Sequence, residues 1–136
     1  MILLDTDVSV AYLRGVPAIV GQLQSHLDED LRLPAMTAAE LFYGAEKSDR
    51  RDDALEKVSA LLELLPVVQT DDEALRAFGA AKALLERAGT PLPDADILIA
   101  ATALSHGCPL ATGNLRHFSR IPGIRILDWF GKRVDM

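Results

Sequence analysis

The chain has a single cysteine, Cys108, among its 136 residues. That excludes an internal disulfide and any zinc site built on several cysteines. Its three histidines, His26, His106 and His117, are scattered without the spacing of metal ligands. No apolar run approaches the roughly 20 residues needed to span a bilayer. The amino terminus lacks the basic start and apolar stretch of a signal peptide, so a cytoplasmic protein is expected. Positive charge is also short: 14 Lys and Arg against 20 Asp and Glu leave a net charge of −6. This counts against a protein that coats nucleic acid, though not against an enzyme acting on it. Acids gathered at a metal site would themselves supply part of that balance. Internal repeats, low-complexity tracts and linkers are missing as well. What is there is ordinary for a globular protein, 49% hydrophobic and 25% charged residues. The length suits one domain over residues 1–136, with room for a sizeable core.

The stretch ILLDTD, Ile2 to Asp7, organises the rest. A continuous apolar run suits a strand buried on both faces, as in a parallel sheet covered by helices. In open α/β sheets ligands sit just beyond the carboxyl ends of such strands, which is where Asp5 falls. Asp is equally a common helix cap, and this stretch alone leaves cap and active site open.

Further along, Val8 to Leu13 predicts one or two helical turns broken by Gly15, and Pro17 suits the first residue of a helix reaching about Leu27. Leu31 to Leu33 is a second strand. Thr37 with Glu40 has capping-box spacing and predicts a helix start. A second helix follows the charged patch Ser48 to Asp53 and ends near Leu65. Pro66 to Gln69 is a third strand, and Thr70 with Glu73 repeats the capping-box spacing for a helix stopping at Gly89. Asp94 or Ala95 begins another helix, closed by Gly107. Pro109 to Ala111 and Ile124 to Leu127 are the fourth and fifth strands. Strands alternating with helices predict an α/β fold with parallel pairing through right-handed crossovers.

Four positions then share a pattern: Asp5 after the first strand, Glu40 in the first turn after the second, Asp94 and Asp96 opening the helix before the fourth, and Asn114 after it. Each has a local explanation. Glu40 fits a capping box, Asp94 an N-cap, Asp96 the helix dipole and Asn114 a turn. All four at one edge of a parallel sheet are less easily explained that way. Crowded carboxylates repel one another, and a hard cation such as Mg²⁺ or Mn²⁺ removes that penalty. With no Ser–His–acid or Cys–His set, metal-assisted phosphoryl chemistry is the reaction class best motivated.

The segments DTDVSVAYL, TAAELFYGA, PDADILIAATAL and ATGNLRHFSRIPGI resemble the VapC-like ribonuclease toxins of the PIN-domain family, from Met1 to about Trp129. The resemblance implies a three-layer α/β/α fold with a central parallel sheet of four to five strands. It places the family's metal-binding acids on Asp5, Glu40 and Asp96, and its fourth site position on Asn114. Thr6 and Thr112 match hydroxyl residues beside the acids, Asp7 stands where many relatives have Asn, and Asp94 is an extra acid. Because Asn114 ligates a second metal less readily than Asp, one-metal and two-metal operation both stay open. The activity implied is a Mg²⁺- or Mn²⁺-dependent endoribonuclease, neutralised by a co-produced antitoxin peptide, as a homodimer or within a toxin–antitoxin hetero-oligomer. Candidate RNA-backbone contacts are Arg14, Lys47, Arg50, Arg51, Arg116 and Arg120, although any single surface arginine is more simply a solvated charge. Phe42 and Tyr43 fit an antitoxin groove, core packing or a dimer face.

Two alternatives compete. ILLDTDV also matches the opening of haloacid-dehalogenase-type phosphatases, with Asp5 as nucleophile. That family needs a lysine and further acids downstream, where only Asp128, Lys132 and Asp135 remain. The second alternative is a non-catalytic module that only grips an antitoxin.

Overall fold

A computed structural model describes residues 1–131. Five short strands form one sheet: β1 (Ile2–Leu4), β2 (Leu31–Pro34), β3 (Val67–Val68), β4 (Leu110–Ala111) and β5 (Ile126–Leu127). The order is β3-β2-β1-β4-β5, and every pairing is parallel. Helices cover both faces. In chain order they are α1 (Thr6–Leu13), α2 (Pro17–Ser25), α3 (Ala35–Glu46), α4 (Arg51–Leu64), α5 (Asp72–Arg87), α6 (Asp94–Ser105) and α7 (Leu115–Phe118).

The apolar run of β1 divides between two cores, because successive side chains of a strand point to opposite faces. Ile2 and Leu4 pack with Val8, Ile19, Leu41 and Leu61 from α1, α2, α3 and α4. Leu3 packs on the other side with Leu85, Ile97, Ile99 and Phe118 from α5, α6 and α7. Leu3 and Leu4 are fully buried, as expected of a strand covered on both faces. This is the three-layer α/β/α arrangement with a parallel sheet. The helix α6 is apolar on nearly all sides, with Ile97 and Ile99 to Ala103 buried between the sheet and α5. It ends where Gly107 takes a φ of +60°, a left-handed conformation that glycine adopts without Cβ strain.

Two expected helix starts are wrong. The helix α3 begins at Ala35, two residues before Thr37, with Pro34 as a cap that makes no side-chain bond. The Thr37 hydroxyl instead donates to the Leu4 carbonyl on β1, at 3.2 Å. Thr70 is not the cap of α5; Asp71 is, accepting the Ala74 N–H at 2.8 Å. The start expected at Asp94 or Ala95 is met, with Asp94 the first residue of α6 and Pro93, not Asp94, at its cap. The short helix α7 had no counterpart in the sequence reading. No described helix is long and apolar enough to cross a membrane.

Candidate active site

From β1 the chain winds outward through β2 to β3, then returns to lay β4 and β5 on the other side of β1. The carboxyl ends of β1 and β4 therefore flank the point where the winding reverses, the crevice in which open α/β sheets bind ligands. The register pairs Leu4 with Ala111 and Ala111 with Leu127. The next residues, Asp5, Thr112 and Asp128, consequently stand side by side across three neighbouring strands.

Asp5 is both a cap and a site residue. Its Oδ1 accepts the Thr6 N–H at 2.7 Å, which caps α1, and its Oδ2 accepts the Thr112 hydroxyl at 2.7 Å. Only 5% of the residue is exposed. Burial, and after it the charge of Asp7, push the Asp5 carboxyl up to about 7 from an ordinary 3.8, against the pull of the Thr112 and Thr6 hydrogen bonds. Asp7 is thus part of the site and not a bystander. Its Oδ2 accepts the Gly113 N–H at 2.9 Å, tying the exit of β4 to the exit of β1. Gly113 has no room for a side chain: a Cβ there would lie 2.5 Å from the Phe130 ring and 3.1 Å from Asp7 Oδ2.

Glu40 reaches the same edge from α3. Its Oε1 accepts the Thr6 hydroxyl at 2.6 Å, a contact spanning 34 residues of sequence. The capping-box reading of Glu40 is excluded by this bond and by the start of α3 at Ala35. Asp96, from the first turn of α6, meets the loop after β4. Its Oδ2 lies 3.2 Å from Nδ1 of His117, which is 2.9 Å from the Asn114 amide. The Asn114 N–H donates to the Thr112 hydroxyl oxygen at 2.9 Å. A continuous polar chain therefore runs from Asp5 through Thr112 and Asn114 to His117 and Asp96. Asp94 is excluded from it, exposed and paired with Lys82 at 3.0 Å.

The four expected site residues thus fall into two linked groups, Asp5 with Glu40 through Thr6, and Asp96 with Asn114 through His117. They do not close into a single cluster: among the described residues no three His, Cys, Asp or Glu side chains are grouped closely enough to hold a metal ion directly. The donor set is nonetheless one of hard oxygens. It fits a cation that keeps several of its waters, as Mg²⁺ does, better than a closed protein cage. The raised Asp5 carboxyl and the buried Asp128 Oδ2, which has no hydrogen-bond partner, mark the same edge as short of positive charge or donors. The sequence reading missed His117 and gave Asp128 no place in the site. His117 was passed over because its partner stands 21 residues away on another helix.

The PIN domain family model matches residues 2–124. The chain belongs to the PIN domain family. Its relatives include the tRNA(fMet)-specific endonuclease VapC of Salmonella typhimurium, 36% identical over 93% of this chain and 96% of that protein. The enzyme of the same name from Shigella flexneri is 32% identical over the same shares. Among solved structures, DNA-bound VapBC from Salmonella typhimurium superposes with a TM-score of 0.89 at 36% identity, over 94% of this chain and 97% of that one. VapBC2 from Rickettsia felis, bound to a DNA fragment from its promoter, gives 0.89 at 26% identity, over 95% and 99%. This PIN domain is therefore VapC-like in sequence and fold, and the haloacid-dehalogenase reading is not favoured. Two of the tail residues that reading would need, Lys132 and Asp135, lie outside the described residues.

Beside Glu40 this PIN domain has a mostly apolar groove of about 460 Å³ between α1, α3 and α4. Leu13, Leu41 and Val58 line it, with Arg14, Lys47 and Lys57 at its rim. Of the expected RNA contacts, Arg14 and Lys47 thus line the same groove as Glu40. Arg51 is engaged by Glu46 and Asp52. Phe42 and Tyr43 are exposed and do not line the groove; Lys47 lies over the Tyr43 ring, 4.7 Å from its centroid.

Proposed function

We propose that the chain is the ribonuclease toxin of a toxin–antitoxin pair, hydrolysing RNA phosphodiester bonds with a Mg²⁺ or Mn²⁺ held by Asp5, Glu40 and Asp96. The observation that carries this reading is the seating of Asp5: a carboxylate buried beside the charge of Asp7, at the switch point of a parallel sheet. A module that only grips an antitoxin gains nothing from burying an acid next to another acid, whereas a cation makes the arrangement favourable. Held by Asp5, Glu40 and Asp96, such a cation would supply a water of lowered pKa and positive charge against the scissile phosphate.

The chain's own residues hold that arrangement in place. Thr112 and the Thr6 N–H fix the two oxygens of Asp5, the Thr6 hydroxyl fixes Glu40, and Asp7 clamps the loop that carries Asn114. Arg14 and Lys47 beside Glu40 suit the phosphates flanking the cleaved bond. The VapBC relatives support a cognate antitoxin as partner; a toxin homodimer within that hetero-oligomer is part of the proposal. Because relatives at 36% and 32% identity are named for tRNA(fMet), that RNA is the substrate to test first.

Purified full-length protein with Mg²⁺ or Mn²⁺ should cut tRNA(fMet) or another structured RNA, read on a denaturing gel. Asp96→Asn should lose at least ~100-fold in rate, about 2.7 kcal/mol of barrier, while keeping its melting temperature. Undiminished cleavage by folded Asp96→Asn would sink the site assignment.

A further inference from the structure

His117 has no part in the chemistry proposed above, yet it joins two of the residues that do. It stands on α7 with its side chain 35% exposed, against 21% for Asp96. Its Nδ1 is 3.2 Å from Asp96 Oδ2 and 2.9 Å from Asn114 Nδ2. An ionised carboxylate only accepts hydrogen bonds, so Nδ1 carries the proton and donates to Asp96. A protonated Nδ1 has no lone pair left for the Asn114 amino group. Nitrogen and oxygen of an Asn amide are told apart only by their hydrogen-bond network, and a proton on Nδ1 calls for this amide turned over, with its carbonyl oxygen in place of Nδ2 toward the ring. One N–H is then shared between the Asp96 carboxylate and the Asn114 amide.

Two consequences follow for the site. Asp96 loses freedom about its terminal torsion, which is broad in a free carboxylate, and keeps its second oxygen, Oδ1, for a cation. Asn114 spends its only side-chain acceptor on His117. Its backbone N–H meanwhile donates to Thr112, whose hydroxyl donates to Asp5. Asn114 thus serves as a brace between the two halves of the acid edge.

We infer that His117 is a positioning residue, which through a shared Nδ1–H holds Asp96 in its metal-binding pose and reserves Asn114 for support instead of ligation of a second metal. The inference rests on the metal-dependent reading above. Outer hydrogen-bond partners of this kind are worth ~10- to 100-fold in metal affinity.

The test is Mn²⁺ binding to the full-length chain by calorimetry, together with the Mn²⁺ concentration giving half-maximal RNA cleavage. Asparagine places an amide nitrogen near the position of Nδ1, whereas glutamine reaches toward that of Nε2. His117→Ala and His117→Gln should therefore bind Mn²⁺ ~10- to 100-fold more weakly than wild type, with His117→Asn recovering most of the loss. The half-maximal concentration should shift in parallel, and cleavage at saturating Mn²⁺ should largely return. Wild-type affinity in His117→Ala, or no difference between the Asn and Gln variants, would overturn the role of His117 alone. Should His117→Ala melt well below wild type without metal, the Asn and Gln pair decides, since both are polar amides of similar size. A wild type that binds Mn²⁺ no better than Asp5→Asn would overturn the metal reading and this inference with it.

Discussion

Asp5 and Asp71 do the same local job in two very different places. Each precedes a helix, sits in extended backbone and accepts a backbone N–H from the first turn. Asp71 does this after β3 at the edge of the sheet, with 47% of its side chain exposed and His106 3.9 Å away. Asp5 does it after the central strand, 5% exposed, with Asp7 as a charged neighbour and Thr112 from across the winding reversal. The cap is common to both; only the place in the sheet makes one of them a candidate for chemistry. A carboxylate at the edge spends its charge on solvent and a helix dipole. One at the switch point is confined with other acids, and its charge becomes available to a ligand.

Substitutions can break that comparison in order of size. Asp5→Asn should lose at least ~100-fold in RNA cleavage while Asp71→Asn keeps wild-type rates, both measured at saturating Mn²⁺. Equal losses would mean that capping, and not ligation, explains Asp5. The next effect is on stability against pH, without metal. Asp5 titrates near 3.8 unfolded and about 7 folded, so the folded state binds the extra proton between those values. Stability therefore falls as pH rises through that window. Asp5→Asn carries no such proton, so in chelator it should be more stable than wild type at pH 8, by up to about 4 kcal/mol. The gap should shrink toward pH 4, and urea titrations at the two pH values read it directly. A gap that does not change with pH would contradict the raised carboxyl. The smallest effect belongs to the edge: Asp71→Ala should cost about 1 kcal/mol of stability, the worth of one N-cap, and leave cleavage untouched.

Much of this was legible in the sequence, and the exceptions have physical reasons. The continuous apolar run Ile2 to Leu4 suited a strand covered on both sides, and it is one. The strand–helix alternation predicted the parallel sheet, and with it a shared edge for Asp5, Glu40, Asp96 and Asn114. What failed were the two Thr-x-x-Glu spacings. Thr37 and Thr70 read alike locally, but the Thr37 hydroxyl is committed to β1, a bond formed only when the chain is folded. Thr70 loses the cap to Asp71, whose carboxylate reaches the Ala74 N–H. The four-residue α7 is too short to show a helical period, so its histidine looked unattached. Asp7 supports the site through Gly113, whose backbone N–H is a partner that no sequence pattern reveals.

The bond between Thr112 and Asp5 spans 107 residues. A chain made only as far as α6 already holds Asp5, Glu40 and Asp96, yet lacks the strand that seats beside β1 and the loop that braces Asp96. The acid edge is therefore complete only once β4 and the loop after it are in place, since a chain ending at α6 lacks the Thr112 bond to Asp5 and the His117 contact with Asp96.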